Sequence, residues 1–163
     1  MLAVVAVFDT TIDDNFMELD RDGEFRLFIY GDVEVAGQED RDDTIIIGVN
    51  GSGNVTIDTG GGPSDQIFKA WSGGAPFGAG TVLASSAKAI TVDAGDGVNT
   101  IDLSAVTSTD FTSLVDRRII LSGGSGVDTI TGSDFGDVIG GLGGNDTIHG
   151  GDGDDLINGG DGA

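Results

Sequence analysis

The chain has no cysteine, one histidine, two prolines and only seven basic residues among 163. Without cysteine there is no disulfide to staple the fold and no thiolate to act as nucleophile or metal ligand, although neither secretion nor an oxygen-ligated metal is excluded. The seven basic residues face 28 acidic ones, for a formal charge of −21. This imbalance argues against nucleic acid and against an anionic membrane surface, and in favour of cations, as partners. Long apolar runs are missing too. The opening MLAVVAVF is apolar for eight residues, lacks a basic leader and runs into Asp9, so it reads as a strand rather than a signal peptide, and no membrane span is expected.

Glycine is what the chain has in excess, with 30 residues, beside 38% apolar residues and 6% aromatic ones. That is too much glycine for an ordinary compact globule and too much apolar content for a disordered chain. Repeated short strands and tight turns reconcile the two. The length suits one ordinary domain or one elongated solenoid. Composition also changes along the chain: after Arg117 and Arg118 there are eight aspartates and no Lys or Arg, and half of all the glycines lie from residue 123 onward.

Apolar runs over residues 2 to 8 and 25 to 30 predict strands in a first segment, residues 1 to 32, that could cap the rest, and alternation continues through Val33 and Val35. Between them, Asp20-Arg21-Asp22-Gly23 begins like an EF-hand loop, but Ile29 stands where that loop needs glutamate, so a tight Asp-Gly hairpin turn is the better reading. From Val33 a pattern recurs of apolar strand, Gly-rich turn, Asp or Asn, one residue, then Ile. It runs as VEVAGQEDRDDTI from 33, VTIDTGGGPSDQI from 55, ITVDAGDGVNTI from 90 and IILSGGSGVDTI from 119. Such self-similarity predicts solenoid coils over residues 33 to 121, with GAPFGAGTVLASSAK and LSAVTSTDFTSLVDRR as loops or extra strands between them.

From residue 123 the spacing becomes strict. Four nonamers follow one another: GGSGVDTIT, GSDFGDVIG, GLGGNDTIH and GGDGDDLIN, with a broken start of a fifth, GGDGA. Each complete unit has Gly first, Asp sixth (Asp128, Asp137, Asp146, Asp155) and Ile eighth (Ile130, Ile139, Ile148, Ile157). Six Gly-rich residues can make a turn with positive φ values, and the last three a strand whose middle side chain points inward. Two nonamers then return the chain to its starting edge. Asp128 stacks on Asp146 and Asp137 on Asp155, about 4.8 Å apart, where paired carboxylates repel by on the order of 3 kcal/mol at an effective dielectric near 20. The segment is therefore expected to stay largely unfolded until a cation arrives. Carboxylate and carbonyl oxygens on a pliable backbone suit Ca²⁺ ahead of Mg²⁺ and Zn²⁺.

These nonamers resemble the repeats-in-toxin (RTX) family of hemolysin-type calcium-binding proteins, whose unit is G-G-x-G-x-D-x-U-x with U a large apolar residue. The resemblance covers residues 123 to 163 and implies an all-β, right-handed parallel β-roll or β-solenoid with stacked Gly-Asp-rich turns. It implies ions between stacked turns, held by Asp128 with Asp146 and Asp137 with Asp155, and by carbonyls from turn residues such as Gly124, Gly126, Gly144, Gly151 and Gly153. It implies a secreted bacterial module that folds on calcium outside the cell, with type I secretion machinery and self-association as candidate partner relations for the parent protein. Ser133, Asp134, Phe135 and Leu142 depart from the pattern and weaken their turns as sites, and the chain stops within a fifth unit, as a fragment would. Upstream, Asn99, Asp65 and Asp43 stand at the sixth-like place, but Pro63 and the charged QEDRD stretch favour structural turns there.

No catalytic constellation is expected in this chain. His149 falls at a ninth position, facing outward, which leaves every serine without an imidazole partner. Ser85 and Lys88 have the spacing of a serine-lysine pair without its companion motifs, and Trp71 among glycines reads as a loop or coil-capping residue. Two other roles remain in view: a calcium-dependent structural or adhesive part of a surface-layer or matrix protein, and the C-terminal module of a secreted enzyme whose catalytic domain lies elsewhere.

Overall fold

The structure is a computed structural model and describes residues 15–19, 25–30, 42, 44–58, 70–72, 75–76 and 83–162. Among the described residues strands dominate, and the helical content is one 3₁₀ turn at Ala84–Ser86. The chain is all-β. The stretch over residues 2 to 8, Val33, Val35, Pro63, Asp43 and Asp65 lie outside the described residues.

The strands, in chain order, are β1 (Asn15–Leu19), β2 (Phe25–Tyr30), β3 (Thr44–Val49), β4 (Val55–Asp58), β5 (Ala70–Ser72), β6 (Ala75–Pro76), β7 (Ala87–Asp93), β8 (Thr100–Asp102), β9 (Ile119–Ser125), β10 (Thr129–Thr131), β11 (Val138–Gly143), β12 (Thr147–His149) and β13 (Leu156–Asn158). They form an eight-stranded sheet of order β13-β11-β9-β7-β2-β1-β5-β6 and a five-stranded sheet of order β12-β10-β8-β3-β4. From β7 to β13 the chain changes sheet at every strand, and each strand lies parallel to the next but one. A three-residue strand has one inward side chain, so each crossing contributes a single large apolar group. Ile45, Ile101, Ile130 and Ile148 line up in register across the smaller sheet. With Ile90, Val92, Ile119, Leu121 and Ile139 from the larger sheet they belong to, or pack against, one apolar core.

One upstream segment differs from the expected coils, and a second, expected as a loop or extra strand, proves to be turns that add to the core. β4 turns back antiparallel on β3, with Ile47 opposite Ile57, rather than opening a new parallel coil. The reversal follows from Asn50, whose side-chain oxygen accepts the backbone N–H groups of Ser52 and Asn54 at 2.9 and 3.1 Å, an Asx turn that closes a hairpin. The insert at residues 103 to 118 contains no strand. Its turns bury Leu103, Val106, Phe111 and Leu114 against the core. The apolar motifs recurring on either side of the insert did not reveal that its own residues would fill the core.

β1 and β2 pair antiparallel with Leu19 opposite Phe25, and β2 continues the larger sheet beside β7; residues 20–24, where the tight Asp-Gly turn is expected, lie outside the described residues. The strand at Asn15–Leu19 had no clear signature in the sequence. Trp71 lies on β5, paired to β1 and β6, and not in a loop. Ser85 lies in the 3₁₀ turn and Lys88 on β7.

Candidate metal site in the stacked turns

Strand register decides which turn residues meet. Thr129 pairs with Thr147, so the preceding residues, Asp128 and Asp146, are neighbours, and Val138 with Leu156 does the same for Asp137 and Asp155. In both pairs the backbone N–H of the inner aspartate donates to the outer carboxylate: Asp128 N to Asp146 Oδ1 at 3.0 Å, and Asp137 N to Asp155 Oδ1 at 2.9 Å. The first column extends one step further in, because Asn99 N donates to Asp128 Oδ1 at 2.8 Å. Asn99, Asp128 and Asp146 thus form one file across three turns.

The glycines make this stacking sterically feasible. Gly124, Gly126, Gly144, Gly151 and Gly153 all have positive φ, between 94 and 136°. At Gly126 (φ 136°) a side chain would be both strained and driven into the carbonyl of Gly97 in the neighbouring turn. A second role belongs to the first-position glycines, which were not among the residues expected to build the site. A Cβ at Gly123, Gly132, Gly141 or Gly150 would collide with the carboxylate of that repeat's own aspartate. Their absent side chains leave the space that the carboxylates fill. The unbroken Gly at the first position of each nonamer was the available signal.

The electrostatics of the two columns differ. Asp128 is fully buried, and its Oδ2, like Asp146 Oδ2, is buried without a hydrogen-bond partner. Burial pushes the Asp128 carboxyl above the ordinary 3.8, the backbone N–H of Asn99 opposes this, and the charge of Asp146 adds to the rise. In the other column Ser133 stands at the second position and serves Asp137: its N–H donates at 2.7 Å and its hydroxyl at 3.0 and 3.2 Å. Even so, burial pushes Asp137 from 3.8 to about 6, against the Ser133 hydrogen bonds and with help from the charges of Asp155 and Asp116. Phe135, at the fourth position, packs into the apolar core.

The donor set fits calcium. Every side-chain atom in the columns that could ligate a cation is an oxygen, the carboxylates meet in twos across stacked turns, and two of their lone-pair-bearing oxygens are buried without a donor. Among the described residues no three His, Cys, Asp or Glu side chains gather into a metal cluster, so any ion here would take most of its ligands from main-chain carbonyls. His149 is exposed at the edge strand β12, in register with Thr131. No helix among the described residues is long and apolar enough to cross a membrane.

Comparison with protein-family models, with curated proteins and with solved structures gives no match to this chain.

Proposed function

We propose that the chain is a calcium-binding β-roll module of the RTX type, from a secreted bacterial protein, in which calcium outside the cell completes and locks the stacked turns. The observation that carries this reading is the pair of buried, unpartnered oxygens Asp128 Oδ2 and Asp146 Oδ2, neighbours across stacked turns. A buried polar atom left without a partner costs about 1–3 kcal/mol, and more when charged. A column that incurs this cost at two successive aspartates, Asp128 and Asp146, is best explained by a ligand that removes it.

Calcium would supply the positive charge and the oxygen-seeking coordination that neither the turns nor their neighbours provide. Asp128 with Asp146, and Asp137 with Asp155, would hold it together with turn carbonyls. The residues' own part is to hold carboxylates facing one another at strand spacing, on glycines that leave room for them. Because the chain's own forces oppose this arrangement, the module would be slack where calcium is scarce and ordered where it is millimolar, a range suited to extracellular modules. Such a switch would aid passage of the parent protein through a type I exporter in an unfolded state and stabilise whatever is attached outside.

A calcium titration followed by far-ultraviolet circular dichroism, with magnesium as control and Asp128→Ala plus Asp155→Ala beside it, tests the reading. A gain of β signal with calcium alone, weakened in the variant, is the expected result. An unchanged spectrum from chelator to millimolar calcium would overturn it and leave a metal-independent structural or adhesive module.

A further inference from the structure

The file of sixth-position residues does not begin with an aspartate. The turn preceding Asn99 is built like the nonamer turns: Gly95 and Gly97 have φ of 83 and 108°, Asp96 bridges to Ser125, and Thr100 and Ile101 pair with Thr129 and Ile130. Its sixth residue is an amide. Asn99 is fully enclosed at 1% exposure, and its Nδ2 donates to three main-chain carbonyls, Gly95 O at 3.3 Å and Asp96 O at 3.4 Å in its own turn and Gly123 O at 3.1 Å in the next.

One step outward the register places Gly124, Ser125 and Gly141 in the positions of those three carbonyl residues, with Asp128 in the place of Asn99. A carboxylate has no N–H to offer them, and there Asp128 Oδ2 is left without a partner. The same backbone therefore has its carbonyls tied by a donor where the side chain is an amide, and lacks that donor where it is an acid. A cation and an NH₂ group are alternative answers to converging carbonyl oxygens.

We propose that Asn99 is a built-in substitute for a calcium ion: its amide closes the innermost interval of the column without metal, so that the cation sites begin between Asp128 and Asp146. This inference rests on the calcium reading above and assigns that column its inner end. The turn at residues 94 to 99 then stays formed in chelator and serves as the template on which the first nonamer docks.

The test compares the full chain with Asn99→Asp and Asn99→Ala, measuring calcium uptake by equilibrium dialysis against calcium chloride and thermal melting in chelator and in calcium. Asn99→Asp should bind one more calcium per chain than the parent, melt on the order of 10 °C lower in chelator, and recover most of that loss in calcium. Asn99→Ala should melt lower in both conditions and gain no calcium, which separates loss of a hydrogen bond from creation of a cation site. If Asn99→Asp takes up no additional calcium, or its deficit persists in calcium, Asn99 is an ordinary buried hydrogen-bonding residue and the inference is overturned. The parent's own uptake reports separately on the calcium reading: a parent that binds none, beside an Asn99→Asp that binds one, refutes the module's function while upholding the substitution.

Discussion

The inner and outer nonamers carry the same motif in different surroundings. In the units at 123 to 140, Ile130 and Ile139 are 0 and 1% exposed and both sixth-position aspartates are fully buried; in the last complete unit Ile157 is 46% and Leu156 54% exposed. The inner units lean on a core already made by Ile90, Ile101, Phe111 and Ile119. The outer units have less of it: Ile148 packs against that core from β12, while β13 brings only exposed side chains to the edge beside β11. The repeat thus fixes the path of the chain, while position in the stack determines how much apolar burial supports that path. On the calcium reading, metal should matter most where burial is least, and the expectation of a segment largely unfolded without a cation narrows to residues 141 to 162.

Substitutions that are alike in chemistry but differ in position should break the equivalence most visibly. Gly126→Ala forces a Cβ into the Gly97 carbonyl at a φ reserved for glycine, whereas Gly159 has open space around it and no positive φ. We expect Gly126→Ala to cost more than about 3 kcal/mol and Gly159→Ala less than about 0.5 kcal/mol in urea unfolding. Next in size, Ile130→Ala should cost about 2–5 kcal/mol and Ile157→Ala under about 1 kcal/mol in the same assay, because only the first empties a closed space.

The carboxylates sharpen the contrast through pH. Asp137 is raised in the fold from 3.8 to about 6, so the folded state holds its proton more tightly than the unfolded chain does. The corresponding stabilisation is fully present below 3.8 and lost as pH climbs to about 6, and Asp128 acts in the same direction. Without calcium, stability should fall by about 2 kcal/mol between pH 4 and 7 from Asp137 alone. On the calcium reading the ion competes with that proton, so in its presence the fall should shrink or reverse, as denaturant melts at each pH will show.

The smallest effect concerns Leu142, which occupies a second position with φ 73° and is 51% exposed. Replacing it with glycine relieves left-handed strain and returns the unit to its motif, which should stabilise the outer turn by about 1 kcal/mol, seen as a rise in melting temperature.

How far the sequence spoke depended on whether a feature repeated. The nonamer period placed Asp128 beside Asp146 and Asp137 beside Asp155 correctly, since each strand pair must register its isoleucines. The same logic aligned Ile101 with Ile130 across an irregular gap of 29 residues. It misread β4, where the side chain of Asn50 makes a hairpin that a recurring apolar pattern cannot announce. Nor could it weigh Asn99, because exchanging one acid for its amide looks conservative until the carbonyls around it are known. Ser133 was read as a weakness in its turn, yet it hydrogen-bonds the very carboxylate that the turn displays.

The most direct test is amide hydrogen exchange resolved by segment, in chelator and in millimolar calcium, with magnesium as the control. Residues 141 to 162 should exchange rapidly in chelator and gain protection with calcium only, while β8 to β10 stay protected throughout. Equal protection of the outer turns in chelator and calcium would contradict the claim that calcium orders them.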